Sequence, residues 1–145
     1  MTCEELMTLN VAYCAQDDRI DLAAIIMRDR NVGALPVVGP QNRPVGIITD
    51  RDLAITICAN AEDGFYKRVK EIMRSPVICC RESDNVSAVL TAMAEHHVRR
   101  VPIVDRVGRL VGIISMDDLA RSLDSETVRP LLAELSLAGV LTPTT

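Results

Sequence analysis

The chain repeats itself, and this repeat constrains the fold more than any other feature of the sequence. When the sequence is shifted by 66 residues, residues 3–54 align with residues 69–120 without a gap, and 17 of the 52 paired positions are identical. Unrelated segments of this length would share only a few identities. A single copy of about fifty residues would bury too little apolar surface to be stable alone. The two copies are therefore expected to pack on each other.

The first half of each copy predicts a short strand followed by a helix. An extended run, Val11–Cys14 or Val77–Cys80, leads to acidic residues that are expected to cap the helix, Asp17-Asp18 or Ser83-Asp84. Apolar residues then recur with the i, i+3, i+4, i+7 spacing of a helix that buries one face. They are Ile20, Ala23, Ala24 and Met27 in the first copy, and Val86, Val89, Leu90 and Met93 in the second.

The second half of each copy predicts a β-hairpin and a further helix. Two apolar runs are separated by residues that favour turns. The runs are Leu35–Val38 with Val45–Ile48, and Val101–Val104 with Leu110–Ile114. Thr49 and Ser115 then open the last helix, so each copy has the order β-α-β-β-α.

Composition and charge exclude several classes of protein. No apolar run reaches the roughly 18–20 residues that span a bilayer, and Met1–Asn10 lacks the features of a signal peptide, so a cytoplasmic location without membrane contact is expected. A net charge of −4 without a long basic run disfavours nucleic-acid binding. The common catalytic motifs are missing from the sequence, so we expect no enzyme activity.

The repeated hairpin segments resemble a known family. Leu35–Leu53, L-P-V-V…P-V-G-I-I-T-D-R-D-L, and Val101–Leu119, V-P-I-V-D…G-R-L-V-G-I-I-S-x-x-D-L, are similar to the tandem cystathionine-β-synthase (CBS) domain, or Bateman module, over about 120 of the 145 residues. The resemblance implies an α/β (α+β) fold with two β-α-β-β-α repeats packed through their sheets about a pseudo-two-fold axis. It assigns residues 1–60 to repeat 1, 61–75 to a linker and lead-in helix, 76–124 to repeat 2 and 125–145 to a C-terminal helical tail.

The resemblance also implies a function. Members of the family commonly bind AMP, ADP, ATP or S-adenosylmethionine in two clefts between the repeats, and paired modules often form dimers. This chain is therefore expected to be a non-catalytic regulatory module that needs no cofactor, binds such a ligand, forms a homodimer and acts on an effector protein that its sequence does not identify.

The candidate binding residues include a hydroxyl and a carboxylate that recur in both copies. Thr49-x-x-Asp52 and Ser115-x-x-Asp118 each follow an apolar strand and fit a capping box. The free N–H groups and positive dipole end of a helix could also attract phosphate, and a carboxylate can accept hydrogen bonds from ribose hydroxyls. By resemblance, Asp52 and Asp118 would hold ribose, and Thr49 and Ser115 would lie near phosphate.

Cationic and adenine-binding positions follow from the same resemblance. Arg99 and Arg100 occupy positions where basic residues of the family often face phosphate. The first copy has Gly33-Ala34 there, and Arg51 could substitute. The two sites should therefore be unequal. The adenine would lie against the first strand of each copy, near the backbone of Ala12 and Ile78.

Two alternatives remain open. The chain could be a ligand-free dimeric structural or stress-associated protein that acts through protein contacts. It could also be a metal- or thiol-based redox sensor that uses Cys79-Cys80 and His96-His97. Adjacent strand residues face opposite ways, however, so at most one of the two cysteines could meet a histidine.

Overall fold

The computed structural model describes residues 1–124, 126, 128–130 and 133, and it divides the chain into two compact units. The repeat-1 unit is Ala12–Val77, and the repeat-2 unit is Met1–Val11 together with the described residues from Ile78 onward. The boundaries predicted from the repeat, 1–60 and 76–124, divide the chain differently. The predicted helical tail, 125–145, falls largely outside the described residues, although Val128 is buried in the core of the repeat-2 unit.

The two units contain equivalent elements. In the repeat-1 unit these are β1 (Cys14–Ala15), α2 (Ile20–Arg30), β2 (Ala34–Val38), β3 (Pro44–Thr49), α3 (Asp50–Asn60), a 3-10 helix (Ala61–Tyr66) and α4 (Val69–Ile72). In the repeat-2 unit they are α1 (Cys3–Leu6), β4 (Cys80–Arg81), α5 (Val86–His96), β5 (Arg100–Val104), β6 (Leu110–Ser115) and α6 (Met116–Ser122). The predicted β-α-β-β-α order is confirmed in both copies.

Each unit has a three-stranded sheet of the same topology. The strand order is β1-β2-β3 in one and β4-β5-β6 in the other. The first strand runs parallel to the second, and the second pairs antiparallel with the third as the predicted hairpin. A register shift lies near the hairpin turn in both sheets, at Val37/Val38 and Ile103/Val104.

The predicted helical stripes form the cores. In α2, Ile20, Ala23 and Met27 are buried against the sheet, whereas Ala24 is exposed. In α5 the buried residues are Val86, Val89, Ala92 and Met93, with Leu90 packed at the edge of the same cluster. Aliphatic side chains from the strands complete both clusters, so each core forms without a buried aromatic ring.

The predicted acidic helix caps are wrong in detail. Asp18 Oδ2 accepts from the N–H of Ala15 at 2.8 Å, and Asp84 Oδ2 accepts from the N–H of Arg81 at 2.9 Å, so both carboxylates hold the turn after the strand. The helices begin one or two residues later. Asn85 caps α5 by accepting from the N–H of Ser87 at 3.0 Å, whereas Arg19, which precedes α2, makes no side-chain cap. A carboxylate at this position can accept from the N–H groups of the preceding turn instead of from those of the helix, and here the turn is the partner.

Each lead-in helix docks on the unit that holds the other repeat. The N–H groups of Val69 and Lys70, in α4, donate to the carbonyls of Asp18 and Gln16 at 2.8 and 2.9 Å. In the repeat-2 unit, α1 makes the same two bonds through Cys3 and Glu4, to Asp84 and Glu82, at 2.8 and 3.0 Å. The compact units therefore differ from the sequence repeats because the two lead-ins are exchanged.

The repeated E-x-M of the lead-ins has a physical explanation. Glu5 and Glu71 each accept from the backbone N–H three residues earlier, at 2.8 and 2.6 Å, which holds the first turn of the short helix. The methionine then packs on a strand glycine. A Cβ at Gly112 would lie 2.6 Å from Met7 Sδ, and one at Gly46 would lie 2.7 Å from Met73 Sδ.

Within the part of the chain that the structure describes, no helix has the length and apolar character to cross a membrane.

Candidate functional site

One edge of each sheet gathers most of the predicted site residues. Ala34, at the start of β2, pairs with Thr49, at the end of β3, and Arg100 pairs with Ser115 in the same way. The first strand itself pairs with the other end of β2, at Val37 and Val38, and because β1 and β2 are parallel, the residues that precede β1 run towards this edge. The helices α3 and α6 begin there, so hydroxyl, carboxylate and cationic side chains meet at one edge in each unit.

Both predicted capping boxes are present. Asp52 N–H donates to Thr49 Oγ1 at 3.1 Å, and Thr49 N–H donates to Asp52 Oδ2 at 3.0 Å. The corresponding bonds between Asp118 and Ser115 measure 3.2 and 2.8 Å. The reciprocal bonds use one oxygen of each carboxylate and fix its orientation. The other oxygen, Oδ1, remains for a further partner.

An arginine pairs with this second oxygen in both units, but from different elements. Arg74, just after α4, places Nη2 at 3.3 Å from Asp52 Oδ1, with Nε at 3.4 Å. Arg121, one turn further along α6, places Nη2 at 2.8 Å from Asp118 Oδ1. The arginine side chains are 70% and 72% exposed and the carboxylates 13% and 16%. Because the arginine ends of these pairs are open to solvent, each pair is expected to contribute only about 0–1 kcal/mol.

The first-turn amides are largely occupied. In α3, the N–H groups of Asp50, Arg51 and Asp52 donate to Gly33 O, Asp50 Oδ1 and Thr49 Oγ1. In α6, the N–H groups of Met116 and Asp118 donate to Arg99 O and Ser115 Oγ. The spare donors expected for a phosphate are therefore few, and anion binding must depend on side-chain cations.

The predicted cations lie at the expected edge. Arg99 immediately precedes β5, and Arg100 is its first residue. Arg99 is partly buried, and its Nε is buried without a hydrogen-bond partner among the described residues. Arg51 is exposed in the first turn of α3. The cationic pair of the repeat-2 unit therefore has only one exposed arginine as its counterpart in the repeat-1 unit.

The proposed adenine positions are apolar. Ala12 is buried and belongs to the core of the repeat-1 unit, and Ile78 is partly buried against the core of the repeat-2 unit. Each lies two residues before the short first strand of its unit. Their side chains can present only aliphatic surface to a ligand.

The cysteines and histidines do not converge. His96 ends α5, and His97 follows it in the left-handed conformation with φ of 54°. Burial, and secondarily Cys80, raises the pKa of the Cys79 thiol to about 11, and burial likewise raises the pKa of Cys80. Over the ranges that the structure describes, no three His, Cys, Asp or Glu residues are grouped so that they could hold a metal ion.

Comparison with known proteins identifies the family. The family model for the CBS domain matches residues 3–58 and 69–125, the two copies of the repeat. The chain belongs to the CBS-domain family. The resemblance inferred from the hairpin motifs is thus confirmed, together with the α+β fold of two three-stranded sheets.

Relatives of this CBS-domain protein align along most of their length. It is 35% identical to the CBS domain-containing protein YhcV of Bacillus subtilis, covering 92% of this chain and 94% of YhcV. It is 32% identical to Hypoxic response protein 1 of Mycobacterium tuberculosis, covering 88% of each. These relatives therefore have little sequence outside the region that they share with this chain.

Solved structures of CBS-domain proteins share the fold. Hypoxic Response Protein I, crystallised with two coordinated zinc ions, superposes with a TM-score of 0.76 at 32% identity over 86% of this chain and 100% of its own. The CBS domain pair of protein MJ0100, in complex with 5′-methylthioadenosine and S-adenosyl-L-methionine, gives 0.71 at 30% identity over 83% and 94%. CBSX2 in complex with AMP gives 0.69 at 26% identity over the same shares.

Two arginines at the site were missed by the sequence argument. Arg121 lies three residues after Asp118, a spacing that brings side chains together on a helix and could have been noticed. Arg74 carried no such signal, because it reaches Asp52 only through the exchange of the lead-ins. Its equivalent in the first lead-in, Thr8, bonds through its N–H to Ile113 O just as Arg74 bonds to Ile47 O, but offers no cation.

Proposed function

We propose that this CBS-domain protein is a non-catalytic regulatory module that binds an adenosine derivative at the sheet edge of one or both units. The observation that carries the proposal is the recurring carboxylate, Asp52 or Asp118, whose Oδ2 is fixed by the capping box while Oδ1 meets only an exposed arginine. Such an oxygen can accept from ribose hydroxyls without any loss of the helix cap. Relatives with bound AMP, S-adenosylmethionine and methylthioadenosine support this ligand class.

Regulation would follow from differential binding. A ligand shifts an equilibrium between two states of a protein only by the ratio of its affinities for them. An adenosine derivative that binds one state better would change the surface that is offered to an effector protein or to a second copy. No cofactor is needed for this role.

Thermal unfolding in the presence of AMP, ADP, ATP and S-adenosylmethionine tests the proposal. At a ligand concentration a hundred times Kd, binding stabilises the folded state by about 2.7 kcal/mol, which raises Tm by about 8 °C in a chain of this size. Asp118→Asn keeps an acceptor for the capping box but removes the charge that would hold ribose. We expect this variant to weaken binding by about tenfold or more, as measured by calorimetry.

Asp105→Asn is the matched control. Asp105 is also a 13% exposed carboxylate paired with an arginine, Arg109, at 2.9 Å, but it lies in the turn between β5 and β6 at the opposite edge of the sheet. Its substitution should leave Kd unchanged. The proposal fails if no adenosine derivative raises Tm, or if both substitutions weaken binding equally.

A dimeric structural or stress-associated role is the second candidate, and exposed apolar residues favour it. The outer faces of α2 and α3 carry three large aliphatic side chains where the repeat-2 unit has smaller or charged residues. The three are Leu22, Ile25 and Ile55, against Ala88, Thr91 and Arg121. Sedimentation velocity of the wild type and of Ile25→Glu tests whether this face joins two copies. A wild type that stays monomeric at about 100 μM would exclude this role.

A metal-based sensing role has one supporting observation, the zinc ions in the structure of Hypoxic Response Protein I. Elemental analysis of the purified protein tests it directly. We expect less than one zinc per chain, because the described cysteines and histidines are not grouped as ligands.

A further inference from the structure

The two candidate sites differ in charge at one structurally equivalent pair of residues. In the repeat-2 unit, Met116 N–H donates to Arg99 O at 2.8 Å, and in the repeat-1 unit, Asp50 N–H donates to Gly33 O at 2.9 Å. The offset of 66 residues relates Gly33 to Arg99 and Asp50 to Met116. The same backbone bond therefore joins the start of the second strand to the start of the last helix in both units.

Different side chains occupy this place. A Cβ on Gly33 would lie 3.1 Å from Asp50 Oδ2. The carboxylate of Asp50 therefore lies where a side chain at residue 33 would begin. In the repeat-2 unit this place belongs to Arg99, whose Nε is buried without a partner among the described residues. Met116 beside it is buried and uncharged. A cation in one unit is thus replaced by an anion in the other.

This place lies next to the proposed ribose site, because Asp50 and Met116 stand two residues before Asp52 and Asp118 in the same helical turn. A ribose held by the Asp at the third helical position has its 5′ carbon a few bonds from the 2′ and 3′ hydroxyls. The substituent at that carbon is a phosphate in AMP, a cationic sulfonium in S-adenosylmethionine and a neutral thioether in 5′-methylthioadenosine. A charged side chain within a few ångströms of this substituent would interact with its charge measurably, even near the protein surface.

We propose that the two units divide adenosine ligands by charge. The repeat-2 site, with Arg99, takes a phosphorylated adenosine. The repeat-1 site, with Asp50, takes an adenosine derivative without a phosphate on the 5′ carbon, and it prefers one with a cationic sulfonium there. This division rests on the proposed function, since it assumes that ribose binds at Asp52 and Asp118.

The next residue along each helix has the opposite pattern of charge. It is a cation, Arg51, in the repeat-1 unit and an anion, Asp117, in the repeat-2 unit. Both are exposed, and Arg51 has no ion-pair partner among the described residues. Of the two arginines at the repeat-1 site, Arg74 pairs with Asp52. Arg51 is left to attract a phosphate there, so the experiment includes it.

Isothermal titration calorimetry with two pairs of probes tests the division. AMP and adenosine differ by a phosphate. S-adenosylmethionine differs from 5′-methylthioadenosine by an aminocarboxypropyl group, which makes the sulfur a cationic sulfonium and adds an ammonium and a carboxylate farther from the ribose. We expect Arg99→Gln to weaken AMP about three- to tenfold and adenosine less than twofold. Asp50→Asn, which retains the acceptor for Arg51 N–H, should weaken S-adenosylmethionine by a similar factor and 5′-methylthioadenosine less than twofold.

Site assignment completes the test. Asp118→Asn should weaken AMP binding by about tenfold or more and leave S-adenosylmethionine binding unchanged, and Asp52→Asn should do the reverse. The division by charge is overturned if AMP and S-adenosylmethionine compete for one site, if each charge variant changes both members of its probe pair equally, or if Arg51→Gln removes a second AMP site. If none of the four probes binds, the proposed function itself fails, and the division fails with it.

Discussion

The contact between each lead-in methionine and a strand glycine gives a quantitative prediction. Gly112→Ala would place a Cβ at 2.6 Å from Met7 Sδ and 2.8 Å from its Cγ, whereas contacts under 3.0 Å are essentially never observed for a Cβ. The side chain of Met7 must move to relieve this close contact, and overpacking of this kind typically costs about 1–3 kcal/mol. We expect the free energy of unfolding to fall by about 2 kcal/mol and Tm by about 6 °C.

A double-mutant cycle with Met7→Ala isolates this contact. Met7→Ala alone removes a buried side chain and should cost about 2–3 kcal/mol. In the double variant the new methyl group enters the space that Met7 leaves, so the two costs should fall short of additivity by at least about 1 kcal/mol. Urea unfolding followed by far-UV circular dichroism measures all four proteins.

The repeat-1 unit supplies the matched comparison. A Cβ at Gly46 would meet Met73 Sδ at 2.7 Å and also the backbone carbonyl oxygen of Arg74 at 2.8 Å. A backbone atom cannot move away as a side chain can, so Met73→Ala should rescue Gly46→Ala less than Met7→Ala rescues Gly112→Ala. Additive costs at Gly112, or an equal rescue in both units, would refute the packing argument.

Four further expectations concern single residues. His97→Gly should stabilise the fold by about 0.5–1 kcal/mol in urea unfolding, because His97 has a φ of 54°; Asn31→Gly, with a φ of 53°, should gain less, since Asn tolerates this conformation. Burial, and secondarily Asp18, raises the pKa of Cys14 to about 12, so folded Cys14 stays protonated where the unfolded thiol ionises near pH 9. Stability should therefore fall between pH 9 and 10.5, by about 1–2 kcal/mol more in the wild type than in Cys14→Ala. Iodoacetamide at pH 7.5 should modify exposed Cys58 while Cys14 reacts only after unfolding, as peptide mass spectrometry would show. Arg74→Gln should change the free energy of unfolding by less than about 1 kcal/mol, and a larger loss would show that its ion pair with Asp52 is structural.

The sequence predicted the parts of the fold that depend on neighbouring residues. The hairpins followed from paired apolar runs around a turn, and the capping boxes followed from a hydroxyl and a carboxylate three residues apart. Each of these patterns reflects an interaction between residues that lie only a few positions apart in the chain. The helix stripes were equally local, and only Ala24 among the predicted core positions is exposed.

The sequence could not predict features that depend on distant segments. The four-residue lead-in helices carry too short a pattern to indicate their partners, so the contacts of Met7 with Gly112 and of Met73 with Gly46 appear only in the folded chain. The error at Asp18 and Asp84 has a different cause. A carboxylate near a helix start can accept from the preceding turn or from the helix, and the sequence does not distinguish the two.

The T-x-x-D and S-x-x-D motifs show why a structural role and a binding role need not compete. In sequence, the motif supports a helix cap and a ribose site equally well. In the structure Oδ2 of Asp118 serves the cap and Oδ1 faces Arg121, so the proposed ribose contact would use a different oxygen from the cap. A substitution to Ala removes both oxygens and would lose ligand binding through a frayed helix even if ribose never touched the carboxylate. Asn keeps one oxygen for the cap and replaces the other with an NH2 group, which removes the charge and the second acceptor, so it is the substitution that separates a binding carboxylate from a structural one.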